Sequence, residues 1–136
     1  MAHLVHYPAG HRDDRFWISM GPLFFDKKIK RDLPYLRDDV GKHWFIVFDD
    51  KTVVGFAAVE IKKNGVALIG SAWVSDAKRG RGVYKSLTDA RLDFAKSRGI
   101  KTVRATCLPA SAAELLKRGF AEVSQIGKYR TLEKSL

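Results

Sequence analysis

Between Ala72 and Leu87 the chain reads Ala-Trp-Val-Ser-Asp-Ala-Lys-Arg-Gly-Arg-Gly-Val-Tyr-Lys-Ser-Leu. Lys78, Arg79, Arg81 and Lys85 gather positive charge here, and Gly80 and Gly82 remove side chains where the backbone must bend and a ligand must approach. The apolar residues before the loop predict a strand. The periodic ones after it predict a helix, whose first N–H groups lack intrahelical acceptors and sit at the positive end of the dipole. Strand, cationic glycine loop and helix start together make an anion site suited to a pyrophosphate. The plain alternative is a strand–helix turn with solvated basic residues.

Other chemistry finds less support. A P-loop needs Gly-x-x-x-x-Gly-Lys-Ser/Thr and the dinucleotide fingerprint needs Gly-x-Gly-x-x-Gly, whereas the next glycine after Gly82 is Gly99. His3, His6, His11 and His43 show no metal-ligand spacing with Cys107, so no metal is expected. No Ser-His-Asp order or paired carboxylate points to hydrolysis. Cys107, the single cysteine, excludes an internal disulfide framework and fits a reducing compartment. Its commoner role is inert packing.

Three strands must lead into the loop. His43–Phe48 is apolar and β-rich, Asp49-Asp50-Lys51 turns, and Thr52 to Lys62 runs to the hairpin signal Asn64-Gly65. Val66 to Val74 then pairs back. Upstream, residues 2–7 predict a short strand, and Asp13 and Asp14 open a helix that should stop near Gly21-Pro22. A second helix covers the Asp26–Leu33 stretch. Downstream, Val83, Leu87, Ala90 and Phe94 form the apolar stripe of a helix closed by Gly99. A strand follows from Ile100 to Leu108. Ser111-Ala-Ala-Glu114 reads as a capping box opening a short helix that ends at Gly119, and two strands around Gly127-Lys128 close the chain.

A chain of 136 residues with 46% hydrophobic content suits one domain, spanning residues 1–136, with one core. No apolar run approaches a membrane span and the N-terminus lacks a signal-peptide pattern, so a soluble cytoplasmic protein is expected. The net charge of +10 is uneven. Residues 1–70 hold 11 Lys/Arg and 9 Asp/Glu, giving +2, and residues 71–136 hold 14 and 6, giving +8. A polyanionic cofactor accounts for part of this excess, and a second acidic partner, such as nucleic acid, stays open beside simple solubility.

The segment Arg79-Gly80-Arg81-Gly82-Val83, placed after the fourth strand, resembles the acyl-CoA loop of the GCN5-related N-acetyltransferases, whose pattern is Gln/Arg-x-x-Gly-x-Gly/Ala. The last position, small in that family, is Tyr84 here. The element order β-α-α-β-β-β-α-β-α-β-β is similar to that family along the whole chain, as is the short helix closing in Gly119-Phe120. The resemblance implies an α/β (α+β) fold: a mixed, mostly antiparallel sheet of about seven strands, about four flanking helices, and a splay between strands 4 and 5.

The same resemblance implies acetyl-CoA as the acyl donor. Backbone groups of Ala72, Trp73 and Val74 would hold the pantetheine and thioester. Amides from Arg79, Gly80, Arg81, Gly82, Val83 and Tyr84 would cradle the pyrophosphate, with Lys85 nearby. An amine would then attack the thioester carbonyl directly, helped by proximity and a polarising backbone N–H. Three polar family positions are apolar here: Leu68 stands at that of the base, Leu115 at that of the acid, and Leu108 at that of an Asn. Glu60, on the neighbouring strand, is the substitute base and Tyr84 a substitute contact to the thiol arm or phosphates. Each also has a plainer account, as a solvated carboxylate and as helix packing.

Two functions follow. One is an N-acetyltransferase, monomeric or homodimeric, acting on a primary amine attached to an acidic or nucleic-acid partner. Its acceptor would lie among Trp17, Phe24, Phe25, Tyr35 and Tyr129, although core packing explains each aromatic equally well. The alternative is a catalytically silent binding protein on the same fold, using its basic cleft for CoA or nucleic acid.

Overall fold

A computed structural model describes residues 2–136. Seven strands lie in one sheet in the order β1-β2-β3-β4-β5-β7-β6. They are β1 (Ala2–Tyr7), β2 (Lys42–Asp49), β3 (Thr52–Ile61), β4 (Val66–Val74), β5 (Thr102–Cys107), β6 (Ala121–Ile126) and β7 (Tyr129–Ser135). The helices are α1 (Asp14–Phe24), α2 (Lys27–Asp32), α3 (Val83–Ser97) and α4 (Pro109–Lys117). The expected element order is therefore met throughout, with a single 3-10 turn, Asp76–Lys78, added before α3. No helix is long and apolar enough to cross a membrane among the described residues.

The chain divides into two compact units. The first comprises Met1–Ala58 with Ser71–Ala90, and the second Val59–Gly70 with Arg91–Leu136. In the first, α1 begins where Asp13 accepts the Phe16 N–H at 2.8 Å, and α2 where Asp26 accepts the Ile29 N–H at 3.0 Å. Phe16, Met20 and Phe24 recur every fourth residue and are buried with Trp44, Phe48 and Phe56 in an aromatic core. The expected stop at Gly21-Pro22 does not occur; α1 continues through Pro22 to Phe24. Pro22 forfeits its bond to the Ile18 carbonyl, but Ile18 is exposed, so that oxygen is not sealed in the core. Carrying Phe24 onto Trp44, with ring centroids 5.6 Å apart, supplies the offset.

A polar hub ties the segment after α2 to this core. Arg12 donates twice to Asp38, from Nε and Nη2, both at 3.0 Å, and Trp44 Nε1 donates to Asp38 Oδ1 at 2.8 Å. The remaining Arg12 donors reach the carbonyls of Pro8 and Lys42, each at 2.8 Å. Burial alone would raise the Asp38 pKa, but the Arg12 and Trp44 hydrogen bonds and the Arg12 charge take it below its ordinary value.

Across the β1–β2 pair, His6 stacks on Phe45 at 4.4 Å and its Nε2 lies 3.2 Å from His43 Nδ1. Ala9 N–H donates to that same His43 nitrogen at 3.3 Å, so the shared proton is on His6. Burial lowers the His6 pKa below its ordinary 6.5. The unfolded chain therefore takes up a proton at a pH where the folded chain resists it. Stability is expected to fall as pH drops from about 6.5 through the lowered folded value. Thermal melts between pH 8 and 5, on a scale set by ordinary histidine titration at about 6.5, should show this slope, and His6→Gln should flatten it. An equal slope in the variant would count against the account.

In the second unit β5 pairs antiparallel with β7 from Thr102↔Ser135 to Cys107↔Arg130, and β6 closes the sheet against β7 with an irregularity between Glu122 and Ser124. Val103, Leu115, Phe120 and Leu132 are buried there. The expected capping box is not used: α4 starts at Pro109 with Leu108 as N-cap, placing Ser111 inside the first turn. Proline at the first helical position, where no N–H is needed, starts the helix three residues early, with the N-cap at Leu108 instead of Ser111.

Candidate functional site

The strand that enters the basic loop is irregular, for a reason visible in its ladder. Lys62 N–H donates to the Val66 carbonyl at 2.8 Å, and Ser75 N–H to the Val54 carbonyl at 2.9 Å. An unbroken antiparallel ladder from the first of these bonds would set Val54 opposite Val74. β4 thus carries one extra residue, and Ser71, with φ of 52°, marks the place. The parallel pairing of β4 with β5 runs from Val66↔Thr102 only to Ile69↔Ala105, while β4 itself continues to Val74.

Arg91 on α3 is 1% exposed and directs Nη1 at the Gly70 carbonyl, beside that extra residue, at 3.5 Å. The sequence offered a signal for it, since Leu87, Arg91 and Ala95 recur every fourth residue. The apolar pattern itself predicts a stripe of Val83, Leu87, Ala90 and Phe94, in which Arg91 has no part. Leu87 of that stripe is buried, whereas the other three are half-buried.

Beyond Ser75 the chain makes its 3-10 turn and passes Gly80 at φ of 76° and Gly82 at φ of 83°. Arg81 N–H bonds to the Lys78 carbonyl at 3.3 Å and Ser86 N–H to the Gly82 carbonyl at 3.0 Å, which closes the first turn of α3. The N–H groups of Gly80, Gly82, Val83 and Tyr84 have no acceptor among the described residues. Gly55 on β3 lets this helix start approach the sheet, because a Cβ there would meet Val83 Cγ1 at 2.6 Å.

The basic side chains differ in their commitments. Lys78 pairs with Asp49 at 3.1 Å, Lys85 with Asp89 at 2.9 Å and Arg79 with Asp76 at 3.2 Å. Arg79 Nε also donates to the Val74 carbonyl at 3.2 Å, which turns the guanidinium back toward the end of β4. Asp76 is held below the usual carboxylate range, first by its hydrogen bond from Lys28. Arg81 is exposed and makes no side-chain hydrogen bond or ion pair among the described residues. Solvated ion pairs contribute only about 0.2–1 kcal/mol each, so an incoming diphosphate can displace those of the loop.

Ala72, Trp73 and Val74 lie on β4 beyond the β5 register, with Trp73 stacked on Phe56 at 5.3 Å. Tyr84 is half-buried, and its hydroxyl has no partner among the described residues. Glu60 is the penultimate residue of β3. It lines an open pocket of about 710 Å³ with Lys62, Lys63, Leu68 and Arg104, and its Oε2 accepts from Lys62 Nζ at 2.7 Å. Of the proposed acceptor aromatics, Phe24 belongs to the core, Phe25 and Tyr35 are exposed, and Trp17 is half-exposed. Burial raises the Cys107 pKa despite the Arg130 charge, which disfavours the thiolate and fits a packing role.

A family model described as Acetyltransferase (GNAT) family matches residues 11–120. Among solved structures, ElaA of Escherichia coli has a TM-score of 0.80 at 15% identity, covering 98% of this chain and 99% of that one. An acyl-CoA N-acyltransferase from Pseudomonas aeruginosa has a TM-score of 0.82 at 16% identity, with 98% and 99% covered. A proposed streptothricin acetyltransferase from Bacillus anthracis, solved in complex with acetyl coenzyme A, has a TM-score of 0.57 at 16% identity, with 77% and 66% covered. No curated protein matches the chain in sequence. At these identities the structural likenesses establish the fold.

Proposed function

The chain belongs to the acetyltransferase (GNAT) family, and from that premise we propose that it transfers an acetyl group from acetyl-CoA to a primary amine, acting as one cytoplasmic domain. The observation that carries this reading is the cluster of uncommitted N–H groups at Gly80, Gly82, Val83 and Tyr84 beside the unpaired Arg81. Four uncommitted donors in and just before a helix start suit the pyrophosphate of the donor. Arg79 and Lys85 exchange their carboxylates for phosphate oxygens, and Ala72, Trp73 and Val74 hold the pantetheine arm.

The amine attacks the thioester carbonyl, the carbon–sulfur bond breaks, and the thiolate leaves. Tyr84 supplies the proton to sulfur, while Glu60 receives the amine's proton through water. Glu60 is opposite Leu68, so it restores a carboxylate one strand away from the position where the family places its own.

Titration calorimetry with acetyl-CoA, with CoA for comparison, tests the donor site. Arg79→Ala combined with Arg81→Ala is expected to weaken binding by at least about 100-fold, since it removes two charge-assisted hydrogen bonds of about 1.5–3 kcal/mol each. The turnover rate should rise with pH as the free amine forms, and a flat profile across that range with chemistry limiting would oppose direct attack.

The apolar residues at the family's acid and base positions support a second reading. Leu115 is 2% exposed and packs in the core. On that reading the protein is a silent binder whose basic surface meets nucleic acid. It requires that the double variant lower nucleic-acid affinity and its salt slope while CoA is never bound.

A further inference from the structure

The open pocket around Glu60 is built on a single row across the sheet. The Lys62–Val66 hydrogen bond at the hairpin sets Glu60 opposite Leu68. Leu68 is the register partner of Arg104 on β5, and Arg104 is the register partner of Glu133 on β7. Cross-strand partners share a face, so the row reads carboxylate, leucine, guanidinium, carboxylate. Glu60, Leu68 and Arg104 all line the pocket, with Lys62 and Lys63 at its hairpin end.

The two charged walls are prepared differently. Glu133 Oε2 accepts from Arg104 Nε at 2.6 Å, which fixes the guanidinium from behind. The terminal Nη1 and Nη2 groups of Arg104 donate to nothing among the described residues. A guanidinium held through Nε presents its planar fork to a carboxylate or phosphate, which it binds with two parallel hydrogen bonds. Glu60, across Leu68, is paired only with Lys62, and both side chains are partly exposed at 27% and 44%. That pair is readily exchanged for an ammonium group.

We propose that this pocket binds an amine carrying an oxyanion, carboxylate or phosphate, at its far end, with the oxyanion on the Arg104 fork and the ammonium at Glu60. This names the acceptor class and rests on the acyltransferase reading. Glu60 and Arg104 are two strands apart, about 10 Å between backbones, so the two charged groups sit at opposite ends of the ligand rather than on one carbon. Leu68 supplies the apolar floor for the carbon chain between them.

The test uses 4-aminobutyrate, 3-aminopropyl phosphate and uncharged-tail butylamine, titrated into the full chain without acetyl-CoA. Either oxyanion-bearing amine should bind at least about tenfold tighter than butylamine, and the preferred one of the two identifies the oxyanion. Arg104→Gln should erase that advantage, Arg104→Lys should restore only part of it, and Glu133→Gln should weaken it through loss of orientation. Equal binding of all three amines, or an advantage that survives Arg104→Gln in a variant with an unchanged melting temperature, overturns the proposal. A separate titration with acetyl-CoA reads the enzyme itself. Discrimination among the amines without acetyl-CoA binding would support the pocket and remove the acyltransferase reading.

Discussion

Gly82→Val weakens acetyl-CoA binding by at least about tenfold while the protein stays folded, a loss of about 1.4 kcal/mol or more. Gly82 has φ of 83°, a conformation that a β-branched residue adopts only under strain of about 1–3 kcal/mol. A Cβ at this position meets no protein atom within 4 Å. The added side chain therefore has no clash inside the fold. The body it opposes is the ligand, and relief of its strain reorients the uncommitted Gly82 and Val83 N–H groups. Gly82→Ala should show a smaller loss, since it lacks the branched carbon. Calorimetric titration beside a thermal melt separates binding from folding. Unchanged affinity in Gly82→Val would remove the helix start from the donor site.

Asp38→Ala destabilises the fold by about 3–5 kcal/mol, the loss expected when one partner of a buried pair is removed. The side chains of Arg12 and Asp38 are only 9% and 17% exposed. Without Asp38 the guanidinium keeps its carbonyl partners but loses its counter-charge, and the Trp44 indole N–H loses its acceptor. Urea titration measures the loss, and Arg12→Ala should cost a similar amount. The double variant should cost less than the sum, because each single change already breaks the same hub. Acid should mimic the substitution. The Asp38 pKa is lowered on folding, so its contribution is present above the ordinary value of 3.8 and disappears as pH falls through the lowered one. A loss below about 1 kcal/mol for Asp38→Ala would mean that the hub is dispensable.

Local rules carried the element order, because each signal depends on residues close in the chain. Asn64-Gly65 marks its hairpin through glycine's backbone freedom, and Gly65 has φ of 80°. Asp13 caps α1 because its carboxylate reaches an N–H three residues on. The same locality explains two wrong boundaries. Pro22 and Ser111 obey propensity in an isolated segment, whereas the folded chain weighs propensity against burying Phe24 and against an earlier start at Pro109.

The loop is legible in the amino-acid order alone: two glycines, four cations and a helix start are contiguous, and their chemistry follows from composition and order. Which charges remain available depends on folding. Arg79, Lys78 and Lys85 found carboxylates, Arg81 did not, and none of those partnerships except the two local ones has a signature at short spacing. Tertiary structure also buried Arg91 against Gly70 and aligned Glu60, Leu68, Arg104 and Glu133 in one row. Such relations depend on strand register, which joins residues tens of positions apart and moves every side chain to the other face when it slips by one.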